Sequence, residues 1–225
     1  MRPKRILGIV LGVWWIALAA SVSSTPSQDN RVRCANLVYA VNKSSVCFSD
    51  RFLRRIQSET RIEVDPVFSR VHLGDINSLL RYPFAIMTGE GGFTLTDQER
   101  VNLRYYVMNG GFLVASAGCS SLDWVRSFRR EFARVFPDKR LEPLPLSHPV
   151  FRTVYAVKSL RTSHRTAKVP AVLEGMTVNG KLALVFSADG LNDTANAKNC
   201  CCCGGNEIVQ AEFLNVNLLA YALLH

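Results

Sequence analysis

The segment from Pro83 to Ala117 constrains the fold more than any other part of the sequence. It opens with a short apolar run, Pro83 to Thr88 (PFAIMT), which reads as a buried strand. Thr96 and Glu99 follow at the spacing of a capping box, in which each side chain satisfies an orphan amide of the other residue's turn. A helix is therefore expected over Asp97 to Asn109. Val101, Tyr105 and Met108 form one apolar stripe on it and Leu103, Tyr106 and Val107 another, so burial around much of its circumference is expected. Gly110 and Gly111 supply the left-handed stop. Phe112 to Ala117 (FLVASA) is then a second apolar strand. Two buried strands joined through one helix run parallel, with a right-handed crossover.

The same alternation extends on both sides. Ala35 to Val41 and Arg61 to Val67 read as strands, Asp50 to Thr60 as a helix and Gly74 to Leu80 as a short one. After the segment, Leu122 to Phe136 is an amphipathic helix. Its apolar face carries Leu122, Val125, Phe128, Phe132 and Val135, while Arg126, Arg129, Arg130 and Arg134 are left outside. Beyond the proline-rich connector Leu141 to Pro149, Val172 to Val178 and Lys181 to Ser187 flank Asn179-Gly180. That pair is a strong hairpin signal, and an antiparallel appendage or edge is expected there. A last helix, Glu207 to Leu224, has few polar positions and should dock on the sheet. With 48% apolar and 20% charged residues in 225, the pattern describes one globular α/β domain with a doubly wound, mainly parallel sheet flanked by helices.

The N-terminus is a separate matter. Arg2, Lys4 and Arg5 precede an unbroken apolar run, Ile6 to Ala20, and small residues then take over from Ala19 to Ser24. This is the layout of a secretory signal, residues 1–23, and it is shorter than the ~20 residues that comfortably span a bilayer. The alternative is a retained membrane anchor. Residues 24–33 are a polar, flexible lead-in, and residues 34–225 form the domain. Without Arg2, Lys4 and Arg5 the formal charge falls from +9 to +6, so much of the basicity that would suggest nucleic acid belongs to targeting. No nucleic-acid partner is expected. The expected location is the periplasm or cell envelope, with an inner-membrane anchor as the alternative.

The stretch Tyr82 to Gly118 resembles the strand, glycine loop, helix and Gly-Gly strand of class I glutamine-amidotransferase-like domains, a flavodoxin-like architecture. Across residues 34 to 224 the chain resembles the bacterial domain-of-unknown-function 4159 family. The pieces that carry this are TGEGGF (Thr88 to Phe93), SFRREFARVFPDKRLEPLPLSHPVF (Ser127 to Phe151) and NCCCCGGNEIVQAEFLNVNLLAYAL (Asn199 to Leu223). The resemblance implies an amidotransferase-like fold and a bacterial source, and no established activity.

In open α/β sheets, sites form outside the carboxyl ends of the strands. The residues expected there are Asn42, Lys43, Asp65, Glu90 and Cys119. Cys119 falls near the position of the amidotransferase nucleophile, where a helix N-terminus would favour its thiolate. The elbow departs from Gly-x-Cys-x-Gly, however, because Ala117-Gly118-Cys119-Ser120-Ser121 shifts the cysteine and lacks the second glycine. His148-Pro149 is followed by Val150, so the family's His-Pro-Glu is also missing. Glu90, Gly91 and Gly92 make a loop that could cradle an anion or simply turn tightly.

Seven cysteines, four of them consecutive (Cys200, Cys201, Cys202 and Cys203), leave three readings. They could form disulfides, among themselves or with Cys34, Cys47 or Cys119. They could hold Zn or Cu as thiolates, with His148 or His164. They could instead be reactive thiols at the start of the last helix, approached through Gly204, Gly205 and Asn206. The arginines Arg126, Arg129, Arg130 and Arg134 are either a solvated face or a contact for an anionic surface. Taken together, the expectation is a binding or assembly module with protein partners in the envelope and without glutaminase activity. The alternatives are a cysteine-dependent hydrolase or transferase using Cys119, and a metal–thiolate protein.

Overall fold

The computed structural model describes residues 30–163, 170–200 and 207–225. The expected signal and most of the lead-in (1–29), His164, Cys201 to Cys203 and the Gly204-Gly205-Asn206 approach lie outside the described residues. In chain order the elements are β1 (Cys34–Val38), α1 (Arg51–Glu59), β2 (Ser69–His72), α2 (Ile76–Leu79), β3 (Phe84–Gly89), α3 (Asp97–Met108) and β4 (Phe112–Ala117). They continue with α4 (Leu122–Val135), β5 (Glu142–Pro143), β6 (Leu173–Val178), β7 (Lys181–Ser187) and α5 (Ala211–Leu224).

All seven strands join one sheet in the order β2-β1-β3-β4-β7-β6-β5. The first five run parallel, and β6 and β5 are added antiparallel at one edge. The parallel part has the order of a doubly wound sheet, with its reversal between β1 and β3. Alternate side chains feed opposite layers, as a two-residue period requires. Phe84, Ile86, Phe112 and Val114 pack under α1 and α5. Ala85, Met87, Leu113 and Ala115 pack under α2, α3 and α4. The expected three-layer α/β fold is what forms.

The central unit is as expected. Thr96 and Glu99 make the reciprocal capping box, and Gly110 stops α3 at φ +100°. The burial of α3 differs: Leu103, Tyr106 and Val107 are inside, whereas Val101 and Tyr105 are exposed. Only one side of α3 meets the sheet, so one stripe is core and the other faces water. In α4 the buried aromatic at the first turn is Trp124, and Leu122 is exposed.

One placement needs correction, and Asp65 moves with it. The strand expected at Arg61 to Val67 is instead β2, Ser69–His72, with only an isolated bridge between Val32 and Val64 before it. Pro66 has no amide to give a ladder, and the edge strand needs only one buried residue, Val71. Asp65 consequently sits far below the carboxyl ends, paired with Arg31. The Asn179-Gly180 hairpin forms with both residues at positive φ. Of the two expected placements the edge holds, since β6 lies antiparallel on the outer side of β7, while β7 itself pairs with β4 inside the sheet.

The last helix begins at Ala211, with Gln210 at its N-cap, and not near Asn206. Its two asparagines are buried and bonded. Asn215 Nδ2 donates to the Leu191 carbonyl at 2.8 Å. Asn217 accepts from the amides of Val154 and Tyr155 and donates to the Tyr155 carbonyl, which pins the connector to the helix.

Candidate functional site

Thr88 and Ser116, one residue before the ends of β3 and β4, and Ser187, the last residue of β7, stand in one cross-strand row and are fully buried. Three hydroxyls in an apolar sheet need partners, and the loop after β7 supplies them. Ser116 Oγ donates to Asn192 Oδ1 at 2.5 Å and accepts from the Leu191 amide at 2.8 Å. Asn192 Nδ2 donates to Thr88 Oγ1 at 2.9 Å. Ser187 Oγ accepts from the Gly190 amide at 3.0 Å. The loop is thereby held over the strand ends by its own backbone and one buried amide. The three hydroxyls at or next to the strand ends, readable in PFAIMT, FLVAS and LALVFS, are the signal that sequence reasoning passed over.

Beside this row lies the reversal point between β1 and β3. After β1 the chain turns through Ala40 at φ 46° and Val41 at φ 72°. The turn is closed by paired bonds between Tyr39 and Lys43, 2.9 and 2.7 Å. A β-branched residue in the left-handed region is costly, and Val41 is 83% exposed, so packing does not compel it. Strained backbone clusters at active sites and ligand clamps, which makes this strand end a candidate site. Lys43 Nζ reaches across the crevice to the Glu90 carbonyl at 3.1 Å, and the Glu90 side chain is exposed.

The glycine loop is fastened from below. The Gly91 amide donates to Ser121 Oγ at 3.0 Å and the Phe93 amide to Ser127 Oγ at 3.1 Å. Arg130 donates to the Phe93 carbonyl at 2.5 Å. Gly91 has φ +65°, as a tight turn needs. Of the loop's amides, that of Gly91 is thus already engaged by the protein.

Cys119 sits where the sequence places it, directly after β4 and before α4. Its backbone is left-handed, φ 47° and ψ 33°, inside a 3₁₀ turn over Gly118–Ser120. Ser120 repeats the positive φ, and its hydroxyl donates to the Asp189 carbonyl at 3.2 Å. The approach is tight, since a Cβ on Gly118 would lie 3.0 Å from the Gly89 carbonyl oxygen. Strand, strained residue and helix N-terminus together are the geometry that presents a nucleophile. The sulfur of Cys119, however, is in a disulfide. In that state it holds no thiolate to attack with.

A second disulfide joins Cys47 to Cys200, with Cα atoms 4.9 Å apart. It ties the segment before α1 to the far end of the loop after β7. The same two regions are linked by Ser49 Oγ to the Asn196 carbonyl, 3.2 Å, and by Arg51 to Asn196 Oδ1, 2.6 Å. Cys34 is a free thiol buried at the start of β1, where burial holds its pKa well above the ordinary range. Of the four-cysteine run, Cys200 is bonded to Cys47, and the other three lie outside the described residues. Among the described residues no group of His, Cys, Asp and Glu is arranged to hold a metal ion.

The carboxyl ends of the strands and the loops that cover them form the crest of the sheet, and carboxylates stand along it. Burial raises the pKa of Asp193, with Asn196 opposing by hydrogen bonding and Glu212 adding its charge. Glu207 Oε2 accepts from the amide and hydroxyl of Thr194 at 3.0 and 2.8 Å. The arginines of α4 are largely engaged. Arg129 forks onto Glu174 and covers the ring of Phe186 at 4.9 Å. Arg134 and Arg100 converge on the buried Glu131, and Arg126 pairs with Asp123 at the surface.

A family model described as domain of unknown function (DUF4159) matches residues 33–223. The chain belongs to the DUF4159 family. That match spans the sheet, both helical layers and the crest, so the DUF4159 domain and the folded unit coincide. No significant match was found among curated proteins.

Proposed function

We propose that this DUF4159 chain is an exported binding or assembly module of the cell envelope, and that its crest is a docking site rather than a glutaminase centre. The observation that carries this is Cys119. The residue occupies the strained turn of a nucleophile, and its sulfur is bonded in a disulfide. A second bridge, Cys47 to Cys200, secures the neighbouring loop. Structural disulfides persist in oxidising compartments and are rare where glutathione keeps thiols reduced. The signal-like first 23 residues lead to the same compartment. The ligand of such a crest meets the strained Ala40-Val41 turn, the Glu90 carboxylate and the Lys43 and Lys198 side chains; protein partners presenting groups of both charges suit that surface.

The test is alkylation of the native, unreduced protein followed by mass spectrometry. Cys119 is expected to stay unmodified, with Cys34 reacting only after denaturation. Rapid native alkylation of Cys119 would overturn the reading in favour of a cysteine-dependent hydrolase or transferase. The left-handed backbone at Cys119 is what favours that second reading, and it requires a reduced sulfur. Zinc or copper binding through the Cys200 to Cys203 run likewise requires reduction of the Cys47–Cys200 bridge before Cys200 can act as a ligand.

A further inference from the structure

The two ends of the sheet differ in charge. At the amino ends of the parallel strands, where the helices also terminate, stand Arg33, Arg61, Arg81, Lys139, Arg140 and Lys181. Among the described residues none of these six is in an ion pair; Arg33 instead lies over the Tyr82 ring at 5.0 Å, and Arg81 donates to Ser78 Oγ at 3.0 Å. The carboxylates at this end are fewer. Asp138 is paired with Arg104 and Asp65 with Arg31, which leaves Glu59 and Glu63 at the margin by α1 and Glu142 at the start of β5 beside Arg140. Arg81 and Lys139 also act at a distance on Asp75 and Asp138. Apolar side chains are also exposed at this end: Leu80 next to Arg81 in the chain, Val67 before β2 and Leu224 at the end of α5.

Basic residues at helix ends can serve simply to balance the negative pole of the helix. That accounts for Arg61, Arg81 and Lys139. It does not account for Arg33, just before β1, or Lys181, the first residue of β7. The described chain also enters on this face. Asn30 is its first residue, and Val32 pairs with Val64 below the sheet. The 29 residues before it include the basic cluster Arg2, Lys4 and Arg5 and the apolar run Ile6 to Ala20.

We propose that the face made by the amino ends of the parallel strands is a docking surface for an anionic lipid bilayer, with the crest turned away from it. Cations outside ion pairs and isolated exposed aliphatic side chains are the combination that binds at a headgroup layer. The polar stretch Thr25 to Arg33 is short, so in the form that retains the apolar N-terminal run as an anchor this end is kept nearest the membrane; where residues 1–23 are removed, the charge of the face alone carries the docking. The proposal rests on the envelope reading above and deepens it: the crest is then the surface left open to partners.

The chain carries its own reporters. Lys139 and Lys181 lie on the proposed membrane face, and Lys43 and Lys198 on the crest. Full-length protein is incubated with vesicles of phosphatidylcholine alone or with phosphatidylglycerol added. It is then acetylated with a water-soluble amine reagent and mapped by mass spectrometry. On the anionic vesicles at low salt, Lys139 and Lys181 are expected to be protected several-fold while Lys43 and Lys198 are not. High salt, which screens exposed charge, should abolish the difference, as should the double substitution Arg81→Glu with Arg140→Glu. Arg126→Glu on α4 should leave it unchanged. Equal labelling at both ends, or protection confined to Lys43 and Lys198, overturns the proposal. So does protection that is the same on neutral vesicles and indifferent to salt, because the N-terminal run alone would then account for it. The alkylation of Cys119 is read without lipid, so the two readings fail separately.

Discussion

Trp124 donates its indole Nε1–H to the hydroxyl of Tyr39 at 2.7 Å, and the pair crosses directly over Gly89. The Tyr39 hydroxyl in turn donates to the Thr88 carbonyl at 3.1 Å. A Cβ on Gly89 would fall 2.6 Å from that hydroxyl and 3.3 Å from the indole nitrogen. The end of β3 is glycine because two buried aromatics, Tyr39 directly after β1 and Trp124 in α4, meet on top of it. Gly89→Ala is therefore expected to destabilise the domain by about 1–3 kcal/mol, the usual cost of overpacking. Urea unfolding measures it, and a cost near zero would mean that the aromatic pair is free to move aside.

Tyr39→Phe separates packing from hydrogen bonding at the same place. The ring and its edge contact with Phe93, centroids 5.0 Å apart, are kept. Trp124 loses its acceptor in a fully buried position, and leaving a buried donor unmade costs about 1–3 kcal/mol. The loss should be accompanied by a shift in tryptophan fluorescence. Unchanged stability and fluorescence would show that the indole N–H finds another partner.

Asn192 anchors the crest loop to two strands at once. Asn192→Leu keeps the approximate volume but leaves the Ser116 and Thr88 hydroxyls without the side chain they face. A loss of about 2–4 kcal/mol is expected from two buried polar groups left unsatisfied. Hydrogen exchange should rise first at the Gly190 and Leu191 amides, which bond to Ser187 and Ser116. If exchange rises uniformly instead, the loop is not a separate unit.

How far the sequence reaches is visible in these same residues. The strands β3, β4 and β7 and the helix α3 are legible because period, caps and Asn-Gly turn all agree locally. β2 is not, because an edge strand with one buried side chain carries little pattern, and Pro66 sits inside the more apolar stretch. At the site, Cys119, Glu90 and Lys43 are found from their positions after strands. Asn192 and Trp124 are not, since their roles depend on partners between 76 and 104 and 85 residues away respectively. The Cys47–Cys200 pairing, separated by 153 residues, is one of several possibilities until the fold brings the two together.

That pairing yields a stability prediction. Closing so long a loop removes freedom from the unfolded chain, and loss of a native disulfide typically costs about 2–4 kcal/mol. The double substitution Cys47→Ser with Cys200→Ser is expected to lower stability by that order under oxidising conditions. The variant should still respond to a dithiol reductant through the disulfide of Cys119. A variant as stable as the parent would mean that the Ser49 and Arg51 contacts to Asn196 hold the loop without the bridge.

His148 gives the pH dependence. Its Nδ1 accepts from the Val150 amide at 3.2 Å, which only the neutral ring can do. Burial holds its pKa below the ordinary 6.5, with the nearby charges of Arg152 and His225 adding to the effect. The unfolded chain therefore takes up the proton before the folded one does. This contribution to stability is complete above the unfolded-state pKa and declines as the pH falls below it. His148→Asn retains an acceptor for Val150 but cannot titrate. The fall in urea midpoint between about pH 7.5 and about pH 5.5 should thus be larger in the parent than in the variant. Equal falls would place the acid sensitivity of the domain elsewhere, and a larger fall in the variant would reverse the sign assigned to His148.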